Sequence, residues 1–125
     1  RRGVLEKTIE AFVSAALQKA GVPLEAVSAV CSIDLKKEEA GLLGFCQSHH
    51  LPLTTYSAGQ LMEAPGTFSP SGFVKQVTGV DNVCERAAVL GAGGGELLLP
   101  KQAGSGVTAA LAVEKEITLS FSDQD

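Results

Sequence analysis

The sequence predicts a single-domain layered α/β sandwich with a mixed sheet, an antiparallel pair of strands near its C-terminus and a ligand cleft. Three observations carry this. Segments with apolar residues at helical spacing alternate with short runs of alternating or β-branched residues, the order that lays helices on the faces of a sheet. The last two strands follow one another with no helical segment between them, as an antiparallel edge pair does. The chain is 125 residues long, 45% hydrophobic and 19% charged. That is one domain by length, able to bury roughly two thirds of its unfolded surface without a staple. No repeat or linker divides it, so residues 1–125 are read as one domain.

Leu5, Ile9, Phe12, Val13, Ala16, Leu17 and Ala20 recur at helical spacing, and Gly21 followed by Pro23 ends that helix. Val27 to Ile33 alternates and is rich in β-branched residues, so it reads as a strand. Asp34 to Glu39 is a polar loop that leads into a helix carrying Leu42, Leu43, Phe45 and Cys46, with a solvated end near His49-His50. Leu51 to Tyr56 reads as a short strand. Ser57 and Gln60 then match a capping box for a short helix through Leu61 and Met62. Ala64 to Gly72, rich in Pro, Gly and Ser, reads as a mobile loop. Phe73, Val74 and Val77 predict a short helix closed by Gly79, and Asp81 a cap for the helix through Val83, Ala87 and Leu90. Glu96 to Leu99 is the next strand, stopped by Pro100. Gly104-Ser105-Gly106 is a flexible turn, Val107 to Val113 a strand, and Ile117 to Phe121 its extension or neighbour.

The bulk properties exclude several classes. A net charge of −4 and a pI near 5.1 give no broad basic surface, which argues against nucleic acid as a partner. The apolar runs break within about ten residues, too short to cross a membrane. No basic and apolar leader opens the chain. It begins at Arg1-Arg2 without an initiator Met, so upstream sequence is expected to have been removed or left out. Cys31, Cys46 and Cys84 are odd in number and show no Cys-x-x-Cys spacing, which fits buried thiols in a reducing cytoplasm.

Four features are candidates for chemistry. Gly93, Gly94 and Gly95 leave backbone open to close approach by a ligand or another segment, and Lys101 follows at the far end of the strand they open. They follow a helix and precede a strand, the reverse of a dinucleotide fingerprint, so a nucleotide is disfavoured and a tight turn is the plain alternative. Arg1 and Arg2 precede a helix start, where backbone N–H groups already favour carboxylates and phosphates; a flexible chain end is the alternative. Glu85 is either a general acid/base or a surface carboxylate, and spacing favours the surface. His49-His50 and the scattered cysteines make no metal set, since adjacent helical side chains diverge by about 100°.

Taken in order, Arg1-Arg2-Gly3, Ser32-Ile33-Asp34, Lys36-Lys37-Glu38, Gly41-Leu42, Tyr56-Ser57-Ala58, Phe73-Val74, Val77-Thr78-Gly79-Val80, Val83-Cys84-Glu85, Ala88, Gly93-Gly94-Gly95, Leu97-Leu98, Pro100-Lys101 and Gly106-Val107-Thr108 resemble the CbiG C-terminal domain and CobE family of cobalamin-biosynthesis proteins. The resemblance covers nearly the whole chain. Family members usually begin with a strand and a Gly-x-Gly-Cys-like turn before the two arginines; that segment is missing from this sequence, and with it part of the implied site.

The resemblance implies a domain of a cobalt-precorrin-5A hydrolase, which opens a δ-lactone on the macrocycle and releases acetaldehyde. A non-catalytic precorrin-binding or handover domain is the alternative. The implied partners are a cobalt-precorrin tetrapyrrole and an N-terminal CbiG domain in the same chain. No cofactor is implied, because cobalt arrives inside the substrate. Arg1, Arg2 and Lys101 would bind its carboxylates, and Gly93, Gly94 and Gly95 would let the ring approach. Ser57 would offer a hydroxyl beside its capping task, the loop from Ala64 to Gly72 would close over the ligand, and Glu85 would be the base for lactone opening.

Overall fold

A computed structural model describes residues 3–68 and 82–114. Helix α1, Glu6–Ala20, buries Ala16 and Leu17 on its apolar face. Gly21 ends it with φ 71°. Its N–H reaches Gln18 O at 3.1 Å while Val22 N–H reaches Leu17 O at 2.9 Å, the paired closure that a left-handed residue permits. After a 3-10 turn at Leu24–Ala26, strand β1 spans only Val30–Ile33. The predicted start at Val27 is too early, because β1 has a partner for four residues alone.

A second 3-10 turn, Asp34–Lys36, leads to α2, Ala40–Ser48, which buries Phe45 and Cys46. Ser48 and His50 at its end are exposed, as a solvated end requires, and the end is also tied to α1. Ser48 Oγ donates to Glu6 Oε2 at 2.7 Å, and His49 Nε2 lies 3.0 Å from Glu10 Oε2 with its ring against Phe45. Strand β2, Leu53–Tyr56, runs parallel to β1 from the Val30–Leu53 pair to the Ile33–Tyr56 pair. Ser57 caps α3, Ala58–Met62, through both bonds of the capping box.

Helix α4 is Val83–Gly91. It is followed by β3, Glu96–Gly104, and β4, Val107–Val113, an antiparallel hairpin. Its two-residue turn has Ser105 at φ 53° and Gly106 at φ 77°, the geometry that matches strand twist. The mixed α/β class therefore holds, with the parallel and antiparallel pairs hydrogen-bonded as two separate ladders. Pro100 does not stop β3. The register slips between Leu99–Leu111 and Gln102–Ala109, so β3 carries an extra residue there. At such a bulge a residue lacking an N–H costs nothing. The predicted elements at Phe73 to Val77 and Ile117 to Phe121, and the part of the Ala64 to Gly72 loop beyond residue 68, lie outside the described residues.

The core runs through Ile33, Leu61 and Ala87, with Cys31, Tyr56, Ala58, Val83 and Leu90 packed against them. Helix α4 thus lies against the parallel pair and, on another side, against the hairpin. It approaches β1 so closely that a Cβ on Gly91 would collide with Cys31 Sγ. Gly91→Ala is expected to destabilise the domain by about 1–3 kcal/mol. Cys31→Ala in the same chain should return most of that loss, because the obstructing atom is one side chain. Urea unfolding of both single variants and the double variant checks this, and strict additivity would refute it.

Candidate functional site

The first turn of α4 and the middle of β3 meet in a buried polar knot. Glu85 and Asn82 are each 1% exposed. A buried carboxylate is costly unless it is hydrogen-bonded, and Glu85 Oε2 accepts the Lys101 backbone N–H at 2.6 Å. The β3 bulge is what presents that N–H to the helix, and the first helical turn is where the dipole favours a negative charge. Glu85 is therefore not the surface carboxylate that its spacing favoured. Spacing along a helix gives no view of a strand that arrives from sixteen residues on.

Asn82 caps α4 from the left-handed region, φ 53°, which Asn tolerates better than most residues. Its Oδ1 accepts the Glu85 N–H at 3.2 Å and the Cys84 thiol at 3.5 Å. The cap is thus Asn82, one residue beyond the predicted Asp81, which is outside the described residues. The Asn-x-x-Glu spacing from Asn82 to Glu85 was the available signal. Arg86 is a further polar residue here that the motifs do not single out. Its Nη1 donates to Leu61 O at 3.2 Å and its guanidinium sits 4.7 Å from the centre of the Phe68 ring. It fastens the end of α3, and the start of the segment predicted to be mobile, onto α4. A lone cation amid the apolar face of a helix was the clue.

Burial pushes the Cys84 thiol up from 9.0 to about 11, and the charge of Glu85 adds to this. A hydrogen bond with Thr108, the Lys101 charge and a backbone contact oppose it. The folded state thus holds the neutral thiol better than the unfolded chain does. This contribution is complete below pH 9 and is lost as pH rises towards about 11, a loss on the order of 2 kcal/mol. Stability measured by urea unfolding across that window should fall less steeply in Cys84→Ala. At neutral pH, Cys84 should alkylate far more slowly than a free thiol.

The other predicted residues are distributed as follows. Ser57 Oγ accepts the Gln60 N–H at 3.1 Å, and Ser57 N–H donates to Gln60 Oε1 at 2.8 Å. Ser57 stands just past the C-terminal end of β2. Gly91 abuts Cys31 early in β1, whereas Ala87 shares a cluster with Ile33 at its end. Helix α4 therefore runs antiparallel to β1, and its first turn points past the same strand ends as Ser57. That is the edge where α/β folds place ligands. Lys101 is inside β3 rather than at its tip, because the strand runs on to Gly104; Gly93, Gly94 and Gly95 come just before the strand starts, with Gly95 about 20 Å of extended chain from Lys101. Gly93 and Gly94 have φ 66° and 83°. The space beside Gly95 is filled by the Val113 backbone. Arg1 and Arg2 lie outside the described residues, and the Gly3 N–H that follows them donates to Glu39 Oε1 at 3.2 Å.

Among the hollows on the surface of the described residues are two beside α1. One of about 310 Å³ lies between α1 and α2 beside Phe45 and His49. The other, about 290 Å³, lies between Gly3 to Glu6 and Glu39 to Gly41. Among the described residues no three His, Cys, Asp or Glu side chains are grouped to hold a metal ion, and no helix is long and apolar enough to cross a membrane.

Comparison with known proteins follows the same lines. The cobalt-precorrin-5A hydrolase of Priestia megaterium is 32% identical over 112 residues, covering 90% of this chain and 30% of the hydrolase. Protein CobE of a Sinorhizobium species is 37% identical over 114 residues, covering 90% of this chain and 73% of CobE. The crystal structure of CobE, a protein from the cobalamin biosynthetic pathway, superposes with a TM-score of 0.80 at 29% identity, covering 88% of this chain and 85% of that one. The chain thus spans under a third of the hydrolase and most of CobE. The family described as cobalamin synthesis G C-terminus matches residues 1–112, and the chain belongs to that family.

Proposed function

We propose that this domain serves lactone opening and acetaldehyde release in a cobalt-precorrin-5A hydrolase, joined to an N-terminal CbiG domain in the same chain and acting in the cytoplasm. The observation that carries the reading is the 32% identity to such a hydrolase over nine tenths of this chain. The substrate would bring its own cobalt and a periphery of carboxylates. Lys101, with Arg1 and Arg2 before α1, would receive those carboxylates as charge-assisted partners. Ser57, at the C-terminal end of β2, would offer its hydroxyl. Gly93 would expose backbone, since a Cβ there meets nothing within 4 Å. Three free cysteines suit a reducing compartment.

The test is direct. The full-length protein is incubated with cobalt-precorrin-5A, and acetaldehyde is followed by coupled oxidation of NADH. Release in step with substrate consumption supports the reading, and none refutes it. A second reading, a precorrin-binding or handover domain, is favoured by two observations. The chain covers 73% of CobE, so the unit makes up most of a protein, and the Glu85 carboxylate is buried on a backbone N–H. Full-rate release by residues 1–125 alone would exclude it.

A further inference from the structure

We propose that Glu85 is a positioning residue: by holding the Lys101 backbone N–H it fixes the Pro100–Lys101 bulge, and so the direction from which the Lys101 ammonium meets a carboxylate of the ligand. The proposal rests on the reading of Lys101 as a carboxylate-binding cation. Its basis is geometric. An extra residue in a strand re-aims the side chains beside it. At this bulge Pro100 has no N–H to offer, so the Lys101 N–H is the dipeptide's backbone donor, bonded to Glu85 Oε2 at 2.6 Å, while the Pro100 and Lys101 carbonyls accept from the neighbouring Gln102 Nε2 at 2.9 and 3.3 Å.

The anchor is itself anchored. Glu85 is 1% exposed, and its own N–H is bonded to the Asn82 cap at 3.2 Å. Lys101 is half-buried, and its charge and that of Glu85 both act on the thiol of Cys84. A general base must reach the proton that it removes. A carboxylate enclosed in the fold and bonded to backbone is better placed to hold a neighbour than to touch a macrocycle.

The full chain is tested with Glu85→Gln, which keeps an acceptor and removes the charge, and with Lys101→Met. The first readout is hydrogen exchange at the Lys101 amide, which Glu85→Gln should speed about fivefold. The second is binding of uroporphyrin, a soluble octacarboxylate tetrapyrrole, followed by fluorescence. Glu85→Gln should weaken binding about threefold when Lys101 is present and leave it unchanged in the Lys101→Met background. Equal weakening in both backgrounds marks a merely structural role and overturns the proposal, as does an unchanged Lys101 amide. Wild-type binding by Lys101→Met overturns it through its premise. If Glu85→Gln does not fold, Glu85→Asp, with charge kept and reach shortened, is read by the same criteria. Acetaldehyde release is assayed separately, so failure of the hydrolase reading remains distinct from failure of this one.

Discussion

Gly95→Ala is expected to lower the stability of the domain by about 3 kcal/mol or more. A Cβ at Gly95 would collide with the carbonyl oxygen of Val113 and lie 2.9 Å from its carbonyl carbon and 3.1 Å from Ala92 O. All three atoms are backbone. A crowded side chain can rotate away, but here the end of β4 would have to leave β3 at the Glu96–Val113 pair. Gly93→Ala is the control. Its Cβ meets nothing within 4 Å, and its cost, about 1 kcal/mol, comes only from φ 66°. Urea unfolding of the two variants separates close approach from backbone conformation. Equal losses would refute the close-approach account.

Asn82→Ala should cost about 2–3 kcal/mol, from three sources acting at one residue. The helix loses its cap, alanine is forced into φ 53°, and the Glu85 N–H and Cys84 thiol lose their shared acceptor. Asn82→Gly removes the cap but accepts the left-handed backbone, so about half of the loss should return. Thermal unfolding of the pair measures the split. If the glycine variant proves no more stable than the alanine variant, backbone strain plays no part at this position.

The features legible in the sequence are those set by neighbours along the chain. The αL glycine after α1 and the Ser57–Gln60 box each involve residues within a turn of one another, and both form as read. So does the ordered series of short motifs that carries the family resemblance. Two readings failed for a shared reason. Pro100 is tolerated because of a slip in the pairing with β4. Glu85 is buried because β3 delivers an N–H to it. Each depends on which distant segment arrives, and neither residue type nor spacing encodes that. The glycine cluster and Lys101 looked like one site because they are close in sequence; an extended strand holds them apart.

The two-residue turn at Ser105-Gly106 bears on the order in which the chain assembles. Closing so short a loop fixes few dihedrals and loses little chain entropy. Joining β1 to β2 requires a crossover that includes all of α2. Near-neighbour pairings of the first kind form sooner than distant ones. The C-terminal hairpin can therefore find its register while the parallel pair is still open, and so offer α4 one finished surface on which to dock before the other exists.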